Sequence, residues 1–272
     1  MSPIGLFRGT KNFVLDLVSN RFVISQLVKR DLKERYLGSF LGFLWPFLQQ
    51  FLMVFIMSFV LQHGLRVSPI LGLPFVAWLI PAQSIYAFFV ESITTSSNVF
   101  IQYSYLVKKI RFKFSMLPVV KIIAALVNHA LFMIIVIITL LVSSVHPTWY
   151  WFQAIYYLFA TFCLVLGMGW LLSSLTVFVR DVGQLIGVAL TFFMWVTPLF
   201  WNPATAQDWL RTLVWFNPVA YLTEGYRNTF LYSKGFWLDP AWGAYYWAIT
   251  VCLMLIGVFV FRKLRPHFAD VL

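Results

Sequence analysis

The chain has 272 residues, of which 61% are hydrophobic, 19% aromatic and only 11% charged, with a net charge of +11. A soluble domain carries about twice that share of charge, so the composition excludes one. The basic balance does not point to nucleic acid, because cations crowd the cytoplasmic loops of membrane proteins.

Apolar runs of about 20 residues, the length that crosses a bilayer core of about 30 Å, recur along the chain. They are continuous rather than alternating, which predicts spanning helices and argues against barrel strands. The expected fold is an all-α integral membrane protein, a single domain over residues 1–272 with six transmembrane helices. Cys163 and Cys252 both fall inside apolar runs, so no disulfide framework is expected. Residues 1–38 are too polar for the apolar core of a cleavable signal peptide.

Residues 1–19 read as a short arm. Residues 20–38 alternate with helical period: Ile24, Val28, Leu32 and Tyr36 form one row with Leu27 beside it, while Gln26, Lys29, Arg30, Lys33 and Glu34 lie away from it. Asp31 and Arg35 are spaced to pair at i, i+4. A basic amphipathic helix of this kind lies in the membrane interface. It runs through Gly38 and Gly42 directly into span 1, residues 41–61, which carries Pro46 near its start and Gln49 and Gln50 inside. At least one of these glutamines is expected to face protein or water. Span 2, residues 72–95, carries Glu91 near its end, costly there unless it reaches a headgroup, water or a cation.

Residues 96–118 form a second basic stretch, with Lys108, Lys109, Arg111 and Lys113 among aromatics. Span 3, residues 119–143, has Lys121 at its start and Asn128 and His129 within it. A short turn at 146–149 predicts that spans 3 and 4 are antiparallel neighbours. Span 4, within residues 150–179, carries Gly167 and Gly169, small residues that allow close helix approach. Span 5, residues 183–201, opens on a Gly183-x-x-x-Gly187 motif and is kinked or ended at Thr197 and Pro198. Residues 202–235 are too polar to span yet rich in aromatics, and Asn217 followed by Pro218 splits them into two pieces of about a dozen residues. Stretches that short fit a re-entrant or interfacial helix pair. Within the second piece Glu224 and Arg227 are spaced to pair at i, i+3. Span 6 covers residues 240–261, and Arg262, Lys263 and Arg265 stop transfer.

Six spans place both termini on one side. With that side cytoplasmic, Arg66, Arg211, Arg227 and Lys234 lie outside and the other cations of the chain inside, which sets the orientation. No phosphate-binding loop of the form G-x-x-x-x-G-K-[ST] occurs, so this chain is not expected to bind ATP in that manner. No H-E-x-x-H or paired Cys/His spacing suggests a metal, and no cofactor is expected on the chain. No acid or His cluster supports a membrane-embedded glycosyl- or acyltransferase. With so few ionisable residues within the spans, a pump needs a partner to supply energy. A passive channel is the remaining rival.

Several motifs, in order, carry a resemblance that extends from about residue 20 to the end. They are Arg30-Asp31-Leu32-Lys33 followed by Arg35-Tyr36-x-Gly38-Ser39-x-x-Gly42-x-x-Trp45, then Leu106-Val107-Lys108-Lys109 with Leu117-Pro118. After these come Arg180-Asp181-x-x-Gln184, Thr197-Pro198, Asn217-Pro218, Glu224 with Tyr226-Arg227, and the tail Phe268-Ala269-Asp270-Val271-Leu272. The chain resembles the permease subunit of ABC-2-type exporters, in the branch that moves O-antigen, capsular polysaccharide or teichoic acid. It departs from the family at Lys113-Phe114-Ser115, where Pro-Arg-Glu is common.

The resemblance implies a homodimer in a bacterial cytoplasmic (inner) membrane, each copy engaging one cytoplasmic ATPase subunit that binds ATP and magnesium. The substrate it implies is a lipid-linked polysaccharide, O-antigen first, with a smaller amphiphile or drug as the alternative. It assigns ATPase coupling to Lys29, Arg30, Asp31, Lys33, Glu34 and Arg35 on the interface helix and to Lys108, Lys109 and Arg111 on the loop. It places spans 1 and 5 of opposite copies around a conduit, for which Trp45, Gln49, Phe193, Trp195, Phe200, Trp201 and Tyr221 are the candidates. An outer gate falls to Asn217, Pro218, Glu224 and Arg227. Cations near Lys29, Arg30 and Lys33 are expected to attract the substrate's pyrophosphate from the inner leaflet.

Overall fold

The computed structural model describes residue 13 and residues 15–36, 40–42, 44–64, 72–105 and 114–271. The described residues are almost wholly helical, and no strand occurs among them. Among the described residues, nine of the longer α-helices organise the fold: α1 (Arg21–Tyr36), α2 (Leu44–Phe59), α3 (Phe75–Ser97), α4 (Leu117–Val142), α5 (Gln153–Phe178), α6 (Asp181–Val196), α7 (Asp208–Phe216), α8 (Pro218–Arg227) and α9 (Pro240–Leu264).

Among the described residues, five helical stretches are long and apolar enough to cross a membrane: Leu44–Gly64, Phe75–Ser97, Phe114–Val142, Trp149–Phe178 and Pro240–His267. The expected span at 183–201 is instead the 16-residue α6. At 1.5 Å per residue it covers about 24 Å, short of a bilayer core of about 30 Å. It stops because Pro198 forces Thr197 into an extended conformation (ψ 135°).

The spans are unequally enclosed. In the most apolar window of α3, 78% of residues are buried, against 11% for the stretch containing α2, so α3 is the axis and α2 an outer wall. α5 and α9 approach most closely at Gly167 and Gly257. A Cβ at Gly167 would lie 2.8 Å from the Met254 amide nitrogen, and one at Gly257 would lie 2.3 Å from the Gly167 carbonyl oxygen. Gly187, by contrast, has open space around it, while a Cβ at Gly183 would lie 3.5 Å from Asn98 Oδ1.

α1 is a helix for local reasons: it holds no glycine or proline, is rich in Leu, Lys, Arg and Glu, and ends on Lys33 and Arg35, which suit the negative end of the helix dipole. Ile24 and Val28 are buried against Met116, Val120 and Ala124 at the start of α4. The inward row then passes to Asp31 (1% exposed) rather than to Leu32, which is only partly buried. The two pieces of 202–235 also differ from each other. α7 exposes Trp209, Leu213, Trp215 and Phe216 and buries only Val214. α8 is enclosed along almost its whole length, and at Gly225 it lies so close to Tyr157 of α5 that a Cβ would come within 2.1 Å of the ring.

Candidate functional site

Two knots of buried charge tie the helices together. The first joins α1 to α3 and α4. Lys121 Nζ donates to Asp31 Oδ1 and, at 2.5 Å, to Gln102 Oε1. The other oxygen of Asp31 pairs with Arg35 Nη2 at 2.8 Å. Arg35 Nη1 donates to Glu91 Oε1 at 2.7 Å, and Asn128 Nδ2 donates to the same oxygen at 2.6 Å. Two carboxylates thus face two cations, and the knot is neutral. Balance is required here, because a buried charge left without its partner costs several kcal/mol. Lys121 also sits 5.3 Å from the centre of the Tyr103 ring. Burial, with the Asp31 carboxylate nearby, holds the Tyr103 phenol above its ordinary range, so the ring stays neutral beside the ammonium group.

The second knot joins α8 to α3 and to the chain following α6. Arg227 is fully buried. Its Nη1 donates to Pro198 O at 2.5 Å and to Glu224, its Nη2 to Leu199 O at 2.8 Å, and its Nε to Trp78 O at 3.3 Å. The guanidinium carbon lies 3.4 Å from the Trp78 ring centre. The other end of α8 grips the same segment. Asn217 caps the helix, its Oδ1 accepting from Val219 N at 2.9 Å, while its Nδ2 donates to Thr197 Oγ1 at 2.9 Å. Pro218 at the first helical position needs no amide hydrogen. Between the knots, His129 bridges α3 and α8, with Nδ1 3.2 Å from Ser84 O and Nε2 3.1 Å from the Tyr226 hydroxyl. A carbonyl only accepts, so in the neutral ring Nδ1 carries the hydrogen and Nε2 accepts from Tyr226.

A groove of about 1020 Å³ opens between α2 and the α3–α4 pair, with Met194 of α6 at its edge. Its lining combines polar side chains, among them Arg35, Glu91, Asn128, Gln49 and Gln50, with apolar ones such as Met53, Ile56, Phe88 and Phe132. The first knot therefore forms part of the groove wall. Arg35 and Glu91 keep 22% and 25% of their side chains exposed, whereas Lys121 and Asp31 keep 3% and 1%.

Of the conduit candidates, Trp45 and Gln49 line this groove. Phe193 and Trp195 are exposed on α6. Phe200 packs on the Phe75, Trp78 and Leu79 cluster, and Trp201 donates to Trp195 O at 3.2 Å. Tyr221 is buried away from the groove, its ring 4.7 Å from that of Tyr246 and its hydroxyl 3.0 Å from that of Tyr156. On α1, Lys29, Arg30, Lys33 and Glu34 are exposed, with Arg30 Nε held by Glu34 at 2.6 Å, while Asp31 and Arg35 turn inward. Lys108, Lys109 and Arg111 lie outside the described residues. Glu224 and Arg227 do pair, and Asn217 and Pro218 start α8. The sequence marked Glu91, Lys121 and Asn128 as polar residues within spans without assigning them a site. Trp78 and Gln83 gave no signal, since an indole or an amide in an apolar run is unremarkable until its partners are known.

These features have relatives. An O-antigen export system permease protein, RfbA, of Myxococcus xanthus is 27% identical over 263 residues, covering 94% of this chain and 98% of its own length. Two proteins of that name from Klebsiella pneumoniae are 23% identical, each covering 90% of this chain and 93% of its own length. The family description "ABC-2 type transporter" matches residues 23–231, most of the chain and all of α1 to α8 but the first two residues of α1. A multi-pass membrane protein with this pattern of helices and this match belongs to the ABC-2 type transporter family.

Proposed function

We propose that the chain is the membrane subunit of an ATP-driven exporter that moves a lipid-linked polysaccharide, O-antigen in the first instance, across a bacterial inner membrane. The observation that carries this reading is the joint between α1 and the groove. A helix whose outer face is charged and exposed is wired, through Asp31 to Lys121 and Arg35 to Glu91, into the wall of an amphipathic groove. A displacement of α1 therefore cannot leave the groove unchanged. The sequence has no phosphate-binding loop of its own, so a separate ATPase docks on the Lys29, Arg30, Lys33 and Glu34 face and on the basic loop with Lys108, Lys109 and Arg111. Full-length similarity to proteins named O-antigen export permeases supports the substrate class.

In this reading α6 is a sixth, short crossing, both termini are cytoplasmic, α1 lies at the interface, and α7 with α8 forms the outer re-entrant pair. The aromatic face of α2, where Phe51, Phe55 and Phe59 stack at 6.2 and 6.4 Å, and that of α6, with Val188, Phe192 and Trp195, are exposed among the described residues and meet a second copy. Two copies enclose a conduit long enough for a polymer. The single groove, at about 1020 Å³, is the size of one drug-sized site, and this favours a smaller amphiphile as the second reading.

Deleting the gene in its host distinguishes them. On the first reading surface glycan disappears while lipid-linked glycan accumulates on the cytoplasmic side, and plasmid-borne wild type restores both. Normal surface glycan in the deletion strain contradicts it.

A further inference from the structure

The structure moves the anion-binding role from the exposed face of α1 to its inward face. At 100° per residue, Lys29, Arg30 and Lys33 lie about 120–160° around the helix from Arg35, so none of them reaches the groove. Among the described cations Arg35 alone lines it. We propose that Arg35 is the receptor for the pyrophosphate of a polyprenyl-pyrophosphate glycan, and that this headgroup takes the place of Glu91 on Arg35 Nη1. The proposal deepens the exporter reading and rests on it.

The geometry suits such an exchange. The guanidinium holds Glu91 through Nη1 and Asp31 through Nη2, so giving up Glu91 leaves it anchored on α1. Glu91 keeps Asn128 at 2.6 Å and is not stranded. Asp31 keeps Lys121. Arg35 therefore keeps a counter-charge, and Glu91, a quarter exposed, keeps an amide hydrogen bond and the screening of the open groove, which lowers the cost of parting the pair. Lys121 cannot play this part, being enclosed between Asp31 and Gln102. A guanidinium also matches phosphate oxygens with two parallel N–H donors. Gln49, Gln50 and Thr94 also line this groove and add donors to it.

A second feature orients the ligand. Gln83 lines the same groove and is 7% exposed, yet its Oε1 has no hydrogen-bond partner. It lies eight residues before Glu91 on α3, about 12 Å along the helix, the reach of a first sugar beyond a pyrophosphate. An acceptor in that position takes a sugar hydroxyl, while Leu52, Met53 and Ile56 on the α2 side offer apolar surface to the isoprenoid. Loss of Glu91 from Arg35 is also the step by which an occupied groove differs from an empty one at α1, which gives the ATPase face a signal of loading.

The test uses the full chain in phosphatidylcholine nanodiscs and a tritiated polyprenyl pyrophosphate, with and without one attached sugar. Wild type is expected to capture both. Arg35→Gln weakens capture at least tenfold, Arg35→Lys less, and Glu91→Gln tightens it several-fold by removing the competing carboxylate. Gln83→Ala reduces capture of the sugar-bearing probe alone. Wild-type affinity in Arg35→Gln overturns the proposal while leaving the exporter reading intact, as does an equal loss in the Lys29, Arg30 and Lys33 triple glutamine variant. Should Arg35→Gln fail to fold, a weakened Glu91→Gln overturns it independently. Displacement by equimolar phosphatidylglycerol assigns Arg35 to bilayer lipid and overturns the substrate assignment. Displacement by millimolar inorganic pyrophosphate supports it.

Discussion

The two charge knots make opposite uses of burial. Around Arg227 the acceptors are fixed groups, three backbone carbonyls and the Glu224 carboxylate, and the guanidinium carbon lies over the Trp78 ring. It is sealed, and it fastens α8 to α3 and to the segment after α6. Around Arg35 the partners are the carboxylates of Asp31 on its own helix and of Glu91 on α3, and the Arg35–Glu91 edge stays open to the groove. A guanidinium that satisfies main-chain carbonyls fixes a shape. One that shares carboxylates between helices can change partner. The first knot is a joint and the second a rivet.

Breaking the rivet is expected to have the largest effect. Arg227→Met strands Glu224 and three carbonyls, a loss of about 3–5 kcal/mol, enough to abolish a folded, monodisperse protein in detergent size-exclusion profiles. Arg227→Lys does not rescue it, because an ammonium cannot reproduce the fork or lie flat on Trp78. A well-folded Arg227→Lys protein would turn the rivet into a mere charge.

The joint comes next. Asp31→Asn leaves Lys121 buried without its counter-charge and costs about the same energy, read as a lower thermal unfolding midpoint. Asp31→Asn combined with Lys121→Met recovers most of it, since a neutral pair carries no uncompensated charge. Additive losses in that double variant would show that the pair is not coupled. Glu91→Gln is milder, about 1–2 kcal/mol, because its carboxylate is a quarter exposed and screened. The smallest effect falls between the knots. Tyr226→Phe removes one neutral hydrogen bond to His129 and costs about 1 kcal/mol by the same melting measurement.

How much of this the sequence disclosed follows from chain separation. Pairings three or four residues apart on one helix, Asp31 with Arg35 and Glu224 with Arg227, were legible from spacing, as was the cap of α8 from Asn217 before Pro218. Glu91 announced that it needed a cation but not which one, since Arg35 is 56 positions away. Periodicity continued the inner row of α1 through Leu32, because it takes polar residues to face outward. Asp31 faces inward because Lys121, 90 positions on, waits there. Tyr221, a conduit candidate by sequence, is buried within this copy, its hydroxyl 3.0 Å from that of Tyr156. Composition cannot tell such residues apart, since lipid, core and conduit all accept an aromatic ring. The end of α6 was set by Pro198, a local steric effect, but its shortness relative to the other spans was not apparent from an apolar run that continues to residue 201.

The central claim is that α1 moves the groove through the Asp31–Lys121 contact, with Arg35–Glu91 the edge that opens on loading. It is tested most directly by measuring ATP hydrolysis and export of lipid-linked glycan side by side in proteoliposomes carrying the chain with its ATPase. For the Asp31→Asn, Lys121→Met double variant, hydrolysis is expected within about twofold of wild type and export reduced at least tenfold. Export that keeps pace with hydrolysis at wild-type rates would contradict the claim.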